Sequence, residues 1–319
     1  MIRNFQEKPM KQWFGKLSSR GLLAFVFFVL LAFLGLPGLF AAPQVPTVAV
    51  SILPQTEFVS KIAGSAVRVI SLVGPGASPH NYEPSPRQMA DLSRARVWFT
   101  IGVEFETALR PKVEALYPAL KVVNSAEGVR YRQLESGHEH DEEEETGGHE
   151  GESNEEGGVD PHVWLGFDAV KIQLSTILKT LVNLMPEQKA AFEANYRAYV
   201  AQIDRTYAEL KRDLAALEGG SVFVYHPSFG YFLDSFGIRQ EAVELGGKEP
   251  TQKTLAALIK KAKQEGVKTI FVQKQFSSAA AKTVASAIGG VVVEIDPLAP
   301  AWLDNTRIMG RALQKALGR

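Results

Sequence analysis

The chain has 319 residues, is 45% apolar and carries 35 basic and 35 acidic side chains, which suffices for two domains of ordinary size, each with its own buried core. It contains no cysteine, so disulfides, thiolate zinc fingers, iron–sulfur clusters and thiol nucleophiles are excluded together, and any metal must be held by nitrogen and oxygen. Beyond residue 42 there remain 30 basic against 34 acidic groups, which is no footprint for nucleic-acid binding.

The chain opens with Arg3, Lys8, Lys11, Lys16 and Arg20, then runs uncharged for 22 residues from Gly21 to Ala42. A positive stretch followed by an apolar one is expected to be an export signal. Its length would also span a bilayer, so residues 1–42 read either as a cleaved signal peptide or as an N-terminal membrane anchor through residues 21–42. Ala42 suits a cleavage site, whereas Phe40 stands where a small residue is wanted. The lack of a cysteine after the apolar stretch removes the lipoprotein route. The expected location is the periplasm.

From Pro46 onward β-branched runs alternate with helical patterns. Strands are expected at Thr47–Leu53, Val67–Val73, Val97–Gly102 and Leu120–Asn124, and again at Ser221–Tyr225, Arg239–Leu245, Thr269–Gln273 and Gly290–Ile295. Helical spacing appears between them, as in Ser85–Arg94, Thr251–Glu265 and Ser278–Ile288. Strands separated by helices of this size predict an α/β protein with mostly parallel sheets, and the four-and-four grouping predicts two similar lobes.

What lies between the groups is also informative. From Ser136 to Gly158, ten acidic residues and six glycines among 23 positions leave nothing to bury; a solvated, disordered loop is expected, either a plain linker or a weak collector of divalent ions through His138, His140 and His149. From Pro186 to Leu217, Phe192, Tyr196, Tyr199, Ile203, Leu210, Leu214 and Leu217 recur at spacings of three, four or seven. That pattern predicts one 32-residue helix, on the order of 48 Å long, acting as a rigid strut. The expected organisation is an N-terminal lobe over 46–185, a linker helix over 186–217 and a C-terminal lobe over 218–319.

Outside the acidic segment only three histidines remain. His80 lies in ASPHNYEPSP after one predicted strand, His226 in YHPSFGYF after another, and His162 in VDPHVWL. Open parallel sheets bind ligands beyond the C-terminal ends of their strands. Asp296, in EIDPLAP, is a fourth candidate at such an end, although an aspartate before proline also serves as a turn residue. Three imidazoles and one carboxylate suit a borderline divalent ion in a tetrahedron, at roughly 2.0 to 2.2 Å. The ring nitrogens that face away from the ion need partners, for which Asp160, Glu83 and backbone carbonyls are near in sequence. No GxSxG, Walker or HExxH pattern is present.

These motifs resemble those of the zinc-binding solute receptors of ABC transporters, the metal-specific cluster that also holds manganese and iron receptors and some streptococcal adhesin lipoproteins. The resemblance covers Pro46 to Arg319 and rests on VSILPQTEFVSKIAG, VGPGASPHNYEPSPRQM, DPHVWL, the long helix, YHPSFGYF, and IFVQKQFSS leading to IDPLAP. It implies two (β/α)4-like lobes joined by one long rigid helix, with Zn²⁺ as the transported ligand at the lobe interface. His80, His162 and His226 then carry over as metal ligands, and Asp296 matches the family's carboxylate ligand. Manganese and iron members tend to carry a carboxylate where His226 stands, and an acidic histidine-rich loop before DPH is a feature of zinc members.

Three positions depart from the pattern. Pro79 replaces a glutamate that some zinc members place before the first histidine, so that arm cannot ligate and Asp296 or water must fill the fourth place. Gln273 stands where glutamate is frequent, and the lipobox cysteine is missing. The expected protein is a monomeric, non-enzymatic, high-affinity zinc receptor that serves a membrane permease. The alternatives are a manganese or iron receptor, a zinc-dependent hydrolase, or an adhesin or scaffold indifferent to metal.

Overall fold

A computed structural model describes residues 45–134, 158–244, 251–276 and 279–317. The predicted signal or anchor, the acidic segment and its His138, His140 and His149 lie outside these residues, Gly158 excepted. Among the described residues no helix is long and apolar enough to cross a membrane.

The first sheet contains β1 (Thr47–Val50), β2 (Arg68–Ser71), β3 (Ala95–Thr100) and β4 (Lys121–Asn124). The second contains β5 (Ser221–Val224), β6 (Arg239–Ala242), β7 (Thr269–Gln273) and β8 (Val291–Ile295). Both are entirely parallel, and the order is the same in each: β2-β1-β3-β4 and β6-β5-β7-β8. Central strands such as VFVY and TIFVQ are buried on both faces, while the flanking β2, β4, β6 and β8 are half exposed, which is why the former read as unbroken apolar runs. Several strands stop short of their predicted ends. After β1, the Ser51 and Ile52 amides turn to donate to Gln55 Oε1 instead of extending the strand.

Nine α-helices connect and cover the sheets among the described residues: α1 (Pro54–Ala63), α2 (Pro86–Leu92), α3 (Glu104–Leu116), α4 (Phe167–Leu184), α5 (Lys189–Asp213), α6 (Gly230–Asp234), α7 (Gln252–Gln264), α8 (Ala279–Ala287) and α9 (Trp302–Leu317). Local chemistry sets their starts. Pro86 occupies the first turn of α2, and Ser85 and Gln88 exchange side-chain and backbone hydrogen bonds as a capping box. Gly64, at φ 57°, marks the end of α1.

The predicted 32-residue helix is not continuous. Its α-helical part is the 25 residues of α5, about 37 Å long, with tighter 3-10 turns at Pro186–Gln188 and Ala215–Leu217. Phe192, Tyr199, Ile203, Thr206 and Leu210 form its buried face, against α1, α4 and α9. The crossing with α9 is close: a methyl group on Gly310 would meet Leu210 Cδ2 at 2.3 Å, so only glycine lets the helices approach this far.

The expectation of a separate core for each lobe is not met. One apolar core runs from the first sheet through α4 and α5 to one face of the second sheet and to α9. Only the other face of the second sheet, with Phe223, Tyr225, Ile270, Val272 and Val284, has a core of its own. The start of α9 is fastened to the N-terminal half: Trp302 packs edge-on against Phe58 of α1, and its indole N–H donates to the Trp164 carbonyl at 2.6 Å. Glu57 of α1 completes the tie, accepting from the Tyr199 hydroxyl and from the Leu303 amide.

Candidate metal centre

Three loops bring the histidines together. His80 sits in the connection between β2 and α2, a segment held down where Tyr82 Oη and Gln88 Nε2 both donate to the Leu72 carbonyl at 2.7 Å. His162 precedes a 3-10 turn, Val163–Leu165, that leads into α4. His226 lies two residues past the end of β5, and Phe276 stacks on its ring with centroids 4.5 Å apart. The Nε2 atoms form a triangle with sides of 3.0 Å (His80 to His226), 3.3 Å (His80 to His162) and 3.3 Å (His162 to His226). In a tetrahedral site with metal–nitrogen bonds near 2.05 Å, neighbouring nitrogens stand about 3.3 Å apart. The triangle therefore has the dimensions of one face of a zinc tetrahedron.

The opposite ring nitrogens explain how such a triangle is held. Each Nδ1 faces a carboxylate: His80 meets Glu104 Oε1 at 2.9 Å, His162 meets Asp160 Oδ1 at 2.7 Å, and His226 meets Glu244 Oε2 at 3.1 Å. A carboxylate can only accept, so the proton resides on Nδ1 and the lone pair on Nε2, and three lone pairs converge on one point. That arrangement repels itself unless a cation lies among the three nitrogens. The partner carboxyls also raise ligand basicity and fix ring orientation.

Burial grades the three positions. The His162 and His226 side chains are 3% and 9% exposed, and that of His80 is 25% exposed beside the half-exposed Glu104. Burial lowers the His162 imidazole below its ordinary value, and the pull of Asp160 does not overcome it. For Asp160 the balance is reversed. Burial would raise it, but the hydrogen bond and charge of His162, reinforced by Arg132, hold its carboxyl below the usual range. Glu104 behaves likewise: burial raises it less than the hydrogen bond and charge of His80 lower it.

Asp296 does not join this set. Among the described residues the only group of three or more histidine or carboxylate ligand atoms close enough to share an ion is that of His80, His162 and His226. Asp296 Oδ1 instead accepts from Gln275 Nε2 and from the Leu298 amide, both at 2.9 Å, as a turn-forming aspartate before proline does. Of the predicted Nδ1 partners, Asp160 serves His162, while the partner of His80 is Glu104 and neither Glu83 nor a backbone carbonyl. Gln273, at the end of β7, accepts from the His226 amide and donates to the His226 carbonyl and to Ser228 Oγ, so it shapes the loop and stays off the imidazole. Glu104 and Glu244 are the functional residues that local sequence did not flag. The available signal was that Glu104 lies just beyond one predicted strand and Glu244 at the C-terminal end of another, on the same edge as the histidines.

Comparison with known proteins follows the same lines. The sequence profile of the family described as zinc-uptake complex component A, periplasmic, matches residues 48–316. The zinc-binding protein AdcA of Streptococcus pyogenes serotype M3 is 27% identical over 251 residues, which are 77% of this chain and 49% of that protein. This chain thus spans about half the length of that curated relative. A crystal structure of ZnuA superimposes with a TM-score of 0.77 at 33% identity, covering 86% of this chain and 99% of that one. A zinc-bound ZnuA deletion mutant gives 0.75 at 34% identity, covering 86% and 98%.

Proposed function

The chain belongs to the family of the periplasmic component A of zinc-uptake complexes, and from that premise we propose that it captures zinc outside the cytoplasmic membrane and delivers it to the permease of an ABC transporter. The observation that carries this reading is the Nε2 triangle, backed on every ring by a carboxylate. His80, His162 and His226 are the proposed ligands, and water takes the fourth place. Three nitrogens favour zinc over manganese or iron, which prefer more oxygen. A hydrolase is disfavoured because the three nearest carboxylates are committed to imidazole N–H groups, which leaves none of them to act as base on a metal-bound water. Residues 1–42 are proposed to direct export or to anchor the chain, and the acidic segment 136–158 to gather ions weakly ahead of the main site. The working form is proposed to be a monomer.

The full chain, solubilised in mild detergent and stripped of metal, is expected to take up one zinc ion tightly. In direct competition zinc should exceed manganese and iron(II) by more than about a hundredfold, following the affinity order of nitrogen-rich sites. Any further, weaker ions should vanish when residues 136–158 are deleted while the tight ion remains. Equal affinity for manganese would hand the function to the runner-up.

A second outcome separates turn residue from ligand. Asp296→Asn keeps an acceptor oxygen for Gln275 and Leu298 and should weaken zinc by less than about tenfold, since no first-sphere bond is lost. A loss comparable to that of a histidine substitution, measured by chelator competition, would restore Asp296 as the fourth ligand.

A further inference from the structure

Arg132 belongs to the N-terminal half and sits at the neck of the acidic segment. The neck is a short antiparallel pairing: the Leu134 amide donates to the Gly158 carbonyl, Gln133 bridges Val159, and the Asp160 amide donates to the Arg132 carbonyl. From there the guanidinium reaches in two directions. Its Nη1 donates to Asp160 Oδ2 at 3.0 Å, and its Nε donates to Asp234 Oδ2 at 2.7 Å, at the end of α6 in the C-terminal half. The other oxygen of Asp160 accepts from the His162 amide at 2.9 Å and from its Nδ1 at 2.7 Å. Tyr231 of α6 reinforces the crossing. Its hydroxyl accepts from the Arg132 amide at 2.9 Å and donates to the Asp160 carbonyl at 3.0 Å. Gly230 leaves the guanidinium its path, because a Cβ there would lie 1.8 Å from Arg132 Nη1.

We propose that Arg132 is a positioning residue that couples the seating of α6 to the metal ligand His162, through the relay Asp234, Arg132, Asp160, His162. Asp160 is fully buried and has one oxygen for Arg132 and the other for His162, so its orientation depends on both. Arg132 is a planar fork that satisfies two carboxylates at once, and a lysine cannot hold that geometry. Movement of α6 that pulls Asp234 and Tyr231 away unseats the guanidinium and frees one oxygen of Asp160. The imidazole of His162 then loses the fixed partner that keeps its lone pair on Nε2. The ion is released from a site whose ligands are all still present, because one of them is no longer held in place. Asp234 is the exposed end of α6, so a partner that draws it away would loosen zinc without touching the ion.

The inference rests on His162 being a ligand, and its test separates the two. In the metal-free full chain with ¹⁵N-labelled histidine, the ring-nitrogen shifts of His162 report which nitrogen carries the proton. With metal loaded, chelator-driven zinc loss reports release. Arg132→Met should mix the His162 tautomers and speed zinc loss by about tenfold to a hundredfold, the usual effect of losing an outer-shell partner. Gly230→Ala, which displaces the guanidinium but keeps its charge, should shift both readouts in the same direction, and Arg132→Lys should rescue neither fully. Asp234→Asn changes a side chain that is 52% exposed and poses little risk to folding, and it should still speed zinc loss several-fold. Release rates within twofold of wild type in Arg132→Met and Gly230→Ala, with an unchanged tautomer, would overturn the relay. Effects confined to Arg132→Met would overturn its link to α6. If the unaltered chain held no zinc, the functional reading would fail, while the metal-free spectra would still decide the relay.

Discussion

His162→Ala is expected to cost on the order of a thousandfold in zinc affinity, with His226→Ala close behind and His80→Ala the mildest of the three. Structural zinc sites gather about 10–16 kcal/mol from four ligands, so one ligand's share is about 2.5–4 kcal/mol, roughly a hundredfold to a thousandfold, and the most buried ligand stands at the upper end. The ranking comes from burial. The His162 and His226 side chains are buried and packed against the Trp164 and Phe276 rings, where a replacement water finds few partners. His162→Ala also leaves the buried Asp160 Oδ1 with only the backbone amide of residue 162 as its partner, an added cost from weakening a buried hydrogen-bonded carboxylate. His80 is a quarter exposed, and water can take its place in the coordination shell. Competition against a chromophoric chelator at pH 7.5 measures all three. A His162→Ala chain within tenfold of wild type would remove the triangle from the mechanism.

Zinc binding is expected to be nearly level above neutral pH and to fall steeply below it, by at least about tenfold between pH 7.5 and pH 5.5. The sign follows from the ligand atoms. Nε2 binds either a proton or the ion, so each imidazole that must shed a proton adds up to a tenfold loss per pH unit below its own pKa. Burial holds the His162 pKa below its ordinary value, so protons compete for its Nε2 only at lower pH than for a free imidazole. Asp160 and Glu104 are held below the usual carboxyl range, so they stay anionic through this window and keep the Nδ1 protons in place.

Affinity is the proper readout here, because thermal stability mixes opposing signs. His162, depressed in the folded state, binds fewer protons there than in the unfolded chain, so its contribution to stability is lost as pH falls below the unfolded value near 6.5. Glu106 is the reverse case. Burial raises it to about 7 despite the backbone amides it accepts from, so its contribution is lost as pH rises from the ordinary carboxyl range toward 7. An affinity that did not change between pH 7.5 and 5.5 would exclude imidazole nitrogen as the ligand atom.

Much of this was legible in the sequence because it is written locally. All eight strands lie where β-branched runs predict them, and the three histidines stand out as the ones left after the acidic segment is set aside. Their convergence was inferred from a rule about strand ends, and the sheets obey it. The rest depends on partners far apart in the chain. Nothing near Glu104 or Glu244 in sequence says which imidazole each will face, 24 and 18 residues away. Nothing near Asp296 in sequence says that its Oδ1 accepts from Gln275, 21 positions earlier, as well as from the Leu298 amide. Arg132 attracts no notice as one of 35 basic residues, because its importance lies in Asp234, 102 positions later. The long helix was overextended since periodicity continues through Leu214 and Leu217 while the backbone tightens into a 3-10 turn before Gly219 and Gly220. α4 carries a readable three-and-four spacing in Phe167, Val170, Leu174, Ile177 and Leu181, but α9 could not be foreseen to return to the first half, since that depends on Trp302 finding Phe58.

The apolar core that passes through α5 without a seam has a consequence for how the receptor can travel through its cycle. A molecule whose halves share Phe58, Trp302 and Leu210 in one packed interior cannot swing open like a flytrap, for doing so would expose that interior to water at a cost no single ion repays. Capture and release of an ion must then be done at the rim, by loops and short helices shifting by small amounts over an unmoving keel.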